Sequence, residues 1–385
     1  MSGDCLDASL APEADFPLTR ESVYLNQAAI GLVPTPVVEV MQRFSTSLSE
    51  RGTLTLDEDA EDQLFDGARA AVARLIGAER DDIAIIASTT EAINQIAWWL
   101  RPSAGQNVVL VEGDFPSVVL PWLRLAEETG AAIRFASTRA AEQRTEAIAE
   151  LVDENTAAIC VGHVHYVTGE RLDLAVLGTL ATGVGARLVI DATQSAGVVA
   201  LNVRETPVDL LVASSHKWLC APAGVAFCYV SPTLADFRPP FVGWRGAASP
   251  SLFAADSVQL ATNARRLELG TPAHSAGVAL EAGIGYLEGF GLARIEQHAI
   301  ALTGSLAAGL RDLGAQVVTP AHPNRRAAIV AARFHGRDSG ELVNRLRRHG
   351  IAVSSRGDAL RFSAHLFNDR ADVAAALDGL KTEVH

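Results

Sequence analysis

Cysteine is scarce in this chain of 385 residues. There are four, Cys5, Cys160, Cys220 and Cys228, and none follows Cys228. They are scattered, and no pair has the spacing of a zinc site. Cys160 and Cys228 sit in apolar, strand-like runs, where reduced core thiols belong. Basic charge is also short: 32 Lys and Arg stand against 45 Asp and Glu, a net charge of −13. With no Lys- or Arg-rich block to reverse that balance, neither nucleic acid nor an anionic membrane surface is expected as the main partner. No uncharged apolar run reaches 18 residues, so no membrane span is expected. The acidic N-terminus lacks the basic and apolar regions of a signal peptide, and a cytoplasmic location is expected. The phosphate-loop pattern Gly-x-x-x-x-Gly-Lys-Ser/Thr is absent. His163 and His165 have no further metal ligands at short range, so no metal is expected. No internal repeat or low-complexity segment stands out.

What remains is the composition of a globular enzyme, with 49% hydrophobic and 20% charged residues, which excludes general disorder. The length allows a large core and two domains. Residues 1–20 read as an irregular arm, followed by a short extended piece over 24–31 and a helix over 37–46. A helix over 60–77 carries Leu64, Ala68, Val72 and Leu75 at helical spacing and stops at Gly77. Strands are then expected at 83–87, 108–111, 132–135, 157–161, 188–190, 210–213 and 225–230. Helices at 91–100, 117–128, 140–151 and 174–183 alternate with the earlier of them. Continuous Val/Ile/Ala strands with helical crossovers imply a mainly parallel sheet buried on both faces. Residues 237–250 read as a long Pro/Gly/Ser-rich loop and 273–313 as a long helical stretch. Strands at 327–334, 351–354 and 359–363 and helices at 339–350 and 369–380 complete a small α+β unit. The expected division is an arm over 1–20, a large domain over 21–265 and a small C-terminal domain over 266–385.

Chemistry concentrates at the expected carboxyl ends of the strands, where ligands sit in such sheets. The run Ala186-Arg187-Leu188-Val189-Ile190 delivers Asp191, and Ser214-Ser215-His216-Lys217-Trp218 places a lysine 26 positions later. Pyridoxal phosphate (PLP) needs a lysine amine for a Schiff base, a carboxylate on its pyridine nitrogen, and polar donors on its phosphate. Lys217, Asp191, and Ser214 with His216 supply those groups, and Gln194 is a donor for the phenolic oxygen. Apolar residues on both sides of Lys217 imply burial and a depressed pKa, which suits it to move a Cα proton. Ser88-Thr89-Thr90-Glu91 fits a capping box at a strand-to-helix turn. By itself it reads more readily as a plain helix cap than as an anion site.

These motifs come in an order that resembles the class V, cysteine desulfurase-like family of fold type I PLP enzymes, over about residues 20–382. The carriers are Tyr24-Leu-Asn-Gln-Ala-Ala, Ser88-Thr-Thr-Glu-Ala-Ile-Asn, His163-Val-His-Tyr-Val-Thr-Gly169, Asp191-x-x-Gln194-Ser-x-Gly197, Asp209-x-x-x-x-Ser214-x-His-Lys217, Glu268-x-Gly270-Thr271-Pro272 and Leu360-Arg361-Phe-Ser-x-His365. The resemblance implies a large mainly parallel-sheet domain with a smaller C-terminal α+β domain. It implies that Thr89 and Thr90 join Ser214 and His216 on the phosphate. Gly270 and Thr271 would reach the phosphate of a partner subunit, making the active unit a homodimer. Arg361 would clamp the substrate α-carboxylate, with Asn26, Ala28 and Tyr166 also at the substrate.

Three departures from the desulfurase pattern narrow the reading. The loop before Arg361 holds no cysteine, so persulfide formation is not expected. Phe115 stands where desulfurases stack a histidine on the pyridine, as in the kynureninase-like and isopenicillin-epimerase-like branches. Tyr166 replaces the usual asparagine, and the loop 243–246 resembles those same branches, offering Arg245 to a substrate tail. The loops 44–60 and 237–263 are expected to line the substrate pocket. The expected reaction is β-elimination by a C–S lyase, taking a cysteine conjugate or its sulfoxide to a thiol or sulfenate, pyruvate and ammonia. Alternatives on the same fold are an epimerase, an aminotransferase, a kynureninase-type hydrolase or a decarboxylating oxidative deaminase. A non-catalytic PLP-binding regulatory protein is an alternative of another class, against which intact Lys217, Asp191 and Arg361 count.

Overall fold

The structure is a computed structural model and describes residues 6–137, 143–252 and 256–384. Its elements in chain order are β1 (Val23–Tyr24), α1 (Thr35–Arg51), α2 (Glu58–Gln63), α3 (Asp66–Ile76), β2 (Ile83–Ile86), α4 (Thr89–Leu100), β3 (Asn107–Val111), α5 (Pro116–Thr129), β4 (Ala132–Ala136), α6 (Arg144–Ala149), β5 (Thr156–Gly162), α7 (Leu174–Val184), β6 (Arg187–Asp191), β7 (Leu210–Ser214) and β8 (Ala226–Val230). They continue with α8 (His274–Phe290), α9 (Leu292–Asp312), β9 (Gln316–Val317), β10 (Ile329–Arg333), α10 (Ser339–Arg348), β11 (Ile351–Ala352), β12 (Ser354–Arg356), β13 (Ala359–Ser363) and α11 (Arg370–Val384).

Seven strands form one sheet in the order β2-β8-β7-β6-β5-β3-β4, in which β8 alone runs against the rest. Side chains alternate across a strand, so each apolar run feeds two layers. Val109, Ile159, Leu188 and Leu211 enter one core, and their neighbours Val108, Ala158, Val189 and Leu210 enter another. That double burial is why these strands read as unbroken Val/Ile/Leu runs. Since β5, β6 and β7 are parallel neighbours, Gly162, Asp191 and Ser214 emerge together at one edge.

The order β12-β13-β10-β9 makes a second, antiparallel sheet. It shares a core with α9, α10 and α11 that includes Leu306, Leu346, Phe362 and Leu380. The start of the chain is tied into this unit. Strand β1 pairs in parallel with β11, Leu25 is fully buried in the same core, and Asn26 bridges to Ser363.

Several elements are more broken than the sequence implies. The helix expected over 60–77 is two helices hinged at Leu64 and Phe65, whose buried ring packs where Gly277 leaves no Cβ. The stretch 273–313 divides at Gly291, at φ 82. There α8, packed on α1 and α3, gives way to α9, packed on α11 and β9. The strand expected over 351–354 splits at Val353, because β11 pairs with β1 while β12 pairs with β13. The expected helix over 140–151 begins outside the described residues. Among the described residues, no helix is long and apolar enough to cross a membrane.

Candidate active site

At the edge where β5, β6 and β7 end, the structure holds a cavity of about 320 Å³. Strand β6 carries Asp191 into it with its carboxylate 6% exposed. Burial pushes the carboxyl pKa up, although Oδ1 accepts the Thr193 N–H at 2.8 Å. A carboxylate held there without a bonded cation is primed for a cationic ligand.

Beyond β7 the chain turns through Ser215, whose hydroxyl donates to the Val225 carbonyl at 2.8 Å. The turn is fixed from the other end of the sequence. Gln27 Nε2 donates to the Lys217 carbonyl at 2.8 Å, and the Gly31 N–H donates to the His216 carbonyl at 2.8 Å. A Cβ at Gly31 would lie 2.0 Å from the Lys217 carbonyl oxygen, so only glycine permits this approach. The Lys217 amine reaches the cavity with its pKa lowered to about 8, chiefly by burial. Asp191 opposes that shift, and Arg361 and Arg356 add to it. Its Nζ lies 5.3 Å from the centre of the Phe115 ring, which meets Tyr166 edge-on at 5.4 Å.

Phe115 is placed by its neighbour. Asp114 Oδ1 accepts the Phe115 N–H at 2.7 Å, and Oδ2 accepts the Gly162 N–H at 2.8 Å, joining the start of α5 to the end of β5. Burial, with Asp191 close by, pushes the Asp114 carboxyl up to about 6. Helix α4 points its N-terminus at the cavity. The Ser88 hydroxyl accepts the Glu91 N–H as cap, and Thr90 donates to the Ser117 hydroxyl at 2.7 Å. First-turn N–H groups lack intrahelical partners and attract anions. Thr89, Ser214 and His216 also line the cavity. Burial, with Lys217 nearby, lowers the His216 pKa.

Gln194 donates from Nε2 to the Ala28 carbonyl at 3.1 Å and accepts from Trp218 Nε1 at 2.8 Å. Its amide is therefore oriented, with one N–H to spare. Strand β13 presents Arg361, 1% exposed. Its Nε donates to Ser354 Oγ at 3.3 Å and its Nη1 to the Tyr166 carbonyl at 2.7 Å. Nη2 is buried with no partner among the described residues. Burial, and then Arg356, lower its pKa to about 9.

Thus the structure brings Ala28, Thr89, Thr90, Phe115, Tyr166, Asp191, Gln194, Ser214, His216, Lys217 and Arg361 to one cavity. The structure does not bring Asn26 into the lining; its backbone bridges to Ser363. Gly270 and Thr271 are exposed and outside it. They follow Glu268, whose carboxylate grips Arg69 at 2.7 and 2.8 Å and also accepts the Ile85 N–H. The structure does not bring Arg245 to the cavity. Its guanidinium is 1% exposed, bonds the Glu61 carbonyl at 3.1 Å and stacks between Phe65 and Trp244. Nor does the lining include residues of 44–60 or the described part of 237–263. Four polar side chains of the lining were not singled out by sequence: Asp114, Ser117, Thr193 and Arg356. Asp114 and Thr193 stand beside motif residues, and that adjacency was the available signal. Among the described residues, no cluster of three or more His, Cys, Asp or Glu is placed to hold a metal ion.

Comparison with known proteins adds the following. The family model described as "Aminotransferase class-V" matches residues 23–375. A "Probable cysteine desulfurase" of Pyrococcus abyssi is 28% identical over 386 residues, 95% of each chain. Among solved structures, the apo cysteine desulfurase from Thermococcus onnurineus NA1 superposes with a TM-score of 0.88 at 28% identity, covering 97% of both chains. The cystine C–S lyase C-DES, solved with its product cysteine persulfide, gives 0.87 at 23% identity, covering 95% of this chain and 99% of that one.

Proposed function

We propose, from the premise that this chain belongs to the class-V aminotransferase family, that it is a PLP-dependent C–S lyase that splits cysteine S-conjugates by β-elimination. The cavity fits the cofactor. Asp191 is a buried carboxylate lacking a bonded cation, Gln194 has an oriented N–H to spare, and Phe115 offers a ring face beside Lys217. Thr89, Thr90, Ser214 and His216 would hold the phosphate, Asp191 the pyridine nitrogen, Gln194 the phenolic oxygen, and Lys217 the aldehyde carbon. Bound there, PLP supplies an electron sink for the pair left at the substrate Cα.

The chain's own residues do the rest. Arg361 Nη2, buried and unpartnered, receives the substrate α-carboxylate and fixes Cα. Lys217 has a pKa of about 8, so a useful fraction of its amine is free near neutrality to take the Cα proton. The Cβ–S bond then breaks with its electrons on sulfur. The sulfur leaves as a thiol, or as a sulfenate from a sulfoxide, and one water converts the remainder to pyruvate and ammonia.

The observation that carries this reading is that no described residue lining the cavity is a cysteine. Cys160, Cys220 and Cys228 are 0–1% exposed, and burial pushes each thiol up, that of Cys220 to about 12. Sulfur transfer to an enzyme cysteine needs a thiolate at the site, whereas β-elimination needs only a base at Cα and a leaving sulfur. Exposed Gly270 and Thr271, outside the cavity of their own chain, support a homodimer in which they meet the partner's phosphate.

The test is the holoenzyme with a panel of cysteine S-conjugates and ordinary L-amino acids. Pyruvate with stoichiometric thiol or sulfenate sustains the reading. Racemised, transaminated, hydrolysed or decarboxylated product without sulfur release moves the protein to another branch of the family. No turnover of any amino acid would favour a regulatory PLP-binding protein.

A further inference from the structure

The formally charged side chains lining the cavity are the cations Lys217, Arg356 and Arg361 and the carboxylates Asp114 and Asp191. Both carboxylates are accounted for. Asp114 holds two backbone N–H groups, and Asp191 accepts from Thr193 and is assigned to the pyridine nitrogen in the reading above. Lys217 and Arg361 serve parts that every α-amino acid has. Arg356 is the cation left over. It donates to the carbonyl of its neighbour Ser355 at 2.7 Å and forms no ion pair with a carboxylate of the described residues. The nearest acid in sequence, Asp358, pairs instead with Arg333 at 2.8 Å.

The position of Arg356 is built into the small sheet. Strands β12 and β13 are joined by the two residues Gly357 and Asp358, with Gly357 at φ 58 as such a tight hairpin requires. In the ladder Ser354 lies opposite Arg361 and Arg356 opposite Ala359. Side chains alternate, so Arg356 projects from the same face as Ser354 and Arg361, about 7 Å further along. A half-buried guanidinium without a counter-ion beside two other cations is unfavourable until an anion joins it. The lowered pKa values of Lys217 and Arg361, to which Arg356 contributes, record that crowding. The cofactor's phosphate has its own donors at the α4 end, so the missing anion belongs to the substrate.

We propose that Arg356 forms a second anion subsite of this cavity, selecting cysteine S-conjugates whose sulfur substituent ends in a carboxylate. This rests on the lyase reading above and names the substrate class of the same site. The conjugate's α-carboxylate sits on Arg361 and its distal carboxylate on Arg356, leaving the Cα proton and the Cβ–S bond between them. A neutral substituent would leave Arg356 desolvated and unpaired, which discriminates against it.

The experiment compares S-(2-carboxyethyl)-L-cysteine with its neutral isostere S-(2-carbamoylethyl)-L-cysteine on the holoenzyme, parent and Arg356→Gln, by pyruvate release. The parent should favour the carboxylate in kcat/KM by at least about tenfold. Arg356→Gln should bring the two substrates together by lowering the carboxylate's kcat/KM. Equal rates in the parent, or a variant that slows both substrates alike and keeps their ratio, overturns the subsite. If neither conjugate yields pyruvate, the lyase reading fails while the subsite stays testable by binding. L-2-aminopimelate has the same chain length and no leaving sulfur, and L-2-aminoheptanoate lacks its distal carboxylate. Their affinities are read from the change in the holoenzyme's visible spectrum. Tighter binding of the pimelate that Arg356→Gln removes sustains the subsite, and equal affinities overturn it.

Discussion

Lys217 is the residue at which sequence and structure meet most closely. Apolar neighbours on both sides imply a buried amine, and burial sets its pKa to about 8. In cofactor-free protein, arylation of Lys217 by fluorodinitrobenzene should therefore rise through pH 8 and level off well below the 10.5 of an ordinary lysine, as read by peptide mass spectrometry. Only the unprotonated amine reacts, so the sign is a gain with rising pH. Lys381 is the only other lysine in the chain and supplies an internal comparison. A midpoint for Lys217 near that of Lys381 would remove the basis for its role as base. Arg361→Ala should raise KM for amino acids by roughly 30-fold or more while moving cofactor affinity by no more than about threefold. An unchanged KM would reject the carboxylate clamp. Arg245 shows where residue-level reading runs out. Its motif resembles a substrate loop, but a cation's partner is set by tertiary packing, and here Glu61, Phe65 and Trp244 surround it. Arg356 escaped notice for the opposite reason. Nothing in a short polar hairpin says which of its side chains will face Arg361 until the strand register is known.

At the scale of elements, the alternating strands and helices of the large sheet were legible because full burial writes itself as unbroken apolar runs. Element ends and breaks were less so. A hinge at Leu64 and Phe65 interrupts no periodicity, and the two-residue strands β1 and β9 are too short to show a pattern. One element junction yields a prediction of its own. Helix α3 is bonded through Arg69 to Glu268, both 2–3% exposed, just before Gly270 and Thr271. Glu268→Gln takes away the buried counter-charge of the Arg69 guanidinium, keeping only the more exposed Asp66 at 2.8 Å, and should cost about 3–5 kcal/mol in urea unfolding. A loss below about 1 kcal/mol would mean that the existing Asp66 pair is enough for Arg69, and that Glu268 does not anchor the segment.

For the molecule as a whole, the absence of cysteine among the described lining residues and the buried cysteines give a joint prediction. Replacing all four cysteines with alanine should leave pyruvate formation within a few-fold of the parent, although truncating Cys160, Cys220 and Cys228 in the core lowers the melting temperature. Alanine suits this test better than serine, because a serine hydroxyl at these positions would be buried in apolar surroundings. Loss of turnover with folding intact would revive a persulfide mechanism. Light scattering should give twice the 40.6 kDa chain mass if Gly270 and Thr271 serve a partner. The tie between β1 and the small sheet also bears on how the protein is made. The Ala28 N–H donates to the Ser363 hydroxyl 335 positions away, and Leu25 is buried in a core supplied by residues 302–380. At ordinary rates of translation the first strand waits roughly 20–70 s for its partners to leave the ribosome. Until then the N-terminal segment that pins Lys217 lacks its ties to the small sheet. The complete site is thus a late product of synthesis, and a nascent chain stalled before residue 363 would carry every proposed cofactor ligand yet lack the small-sheet half of the frame around them.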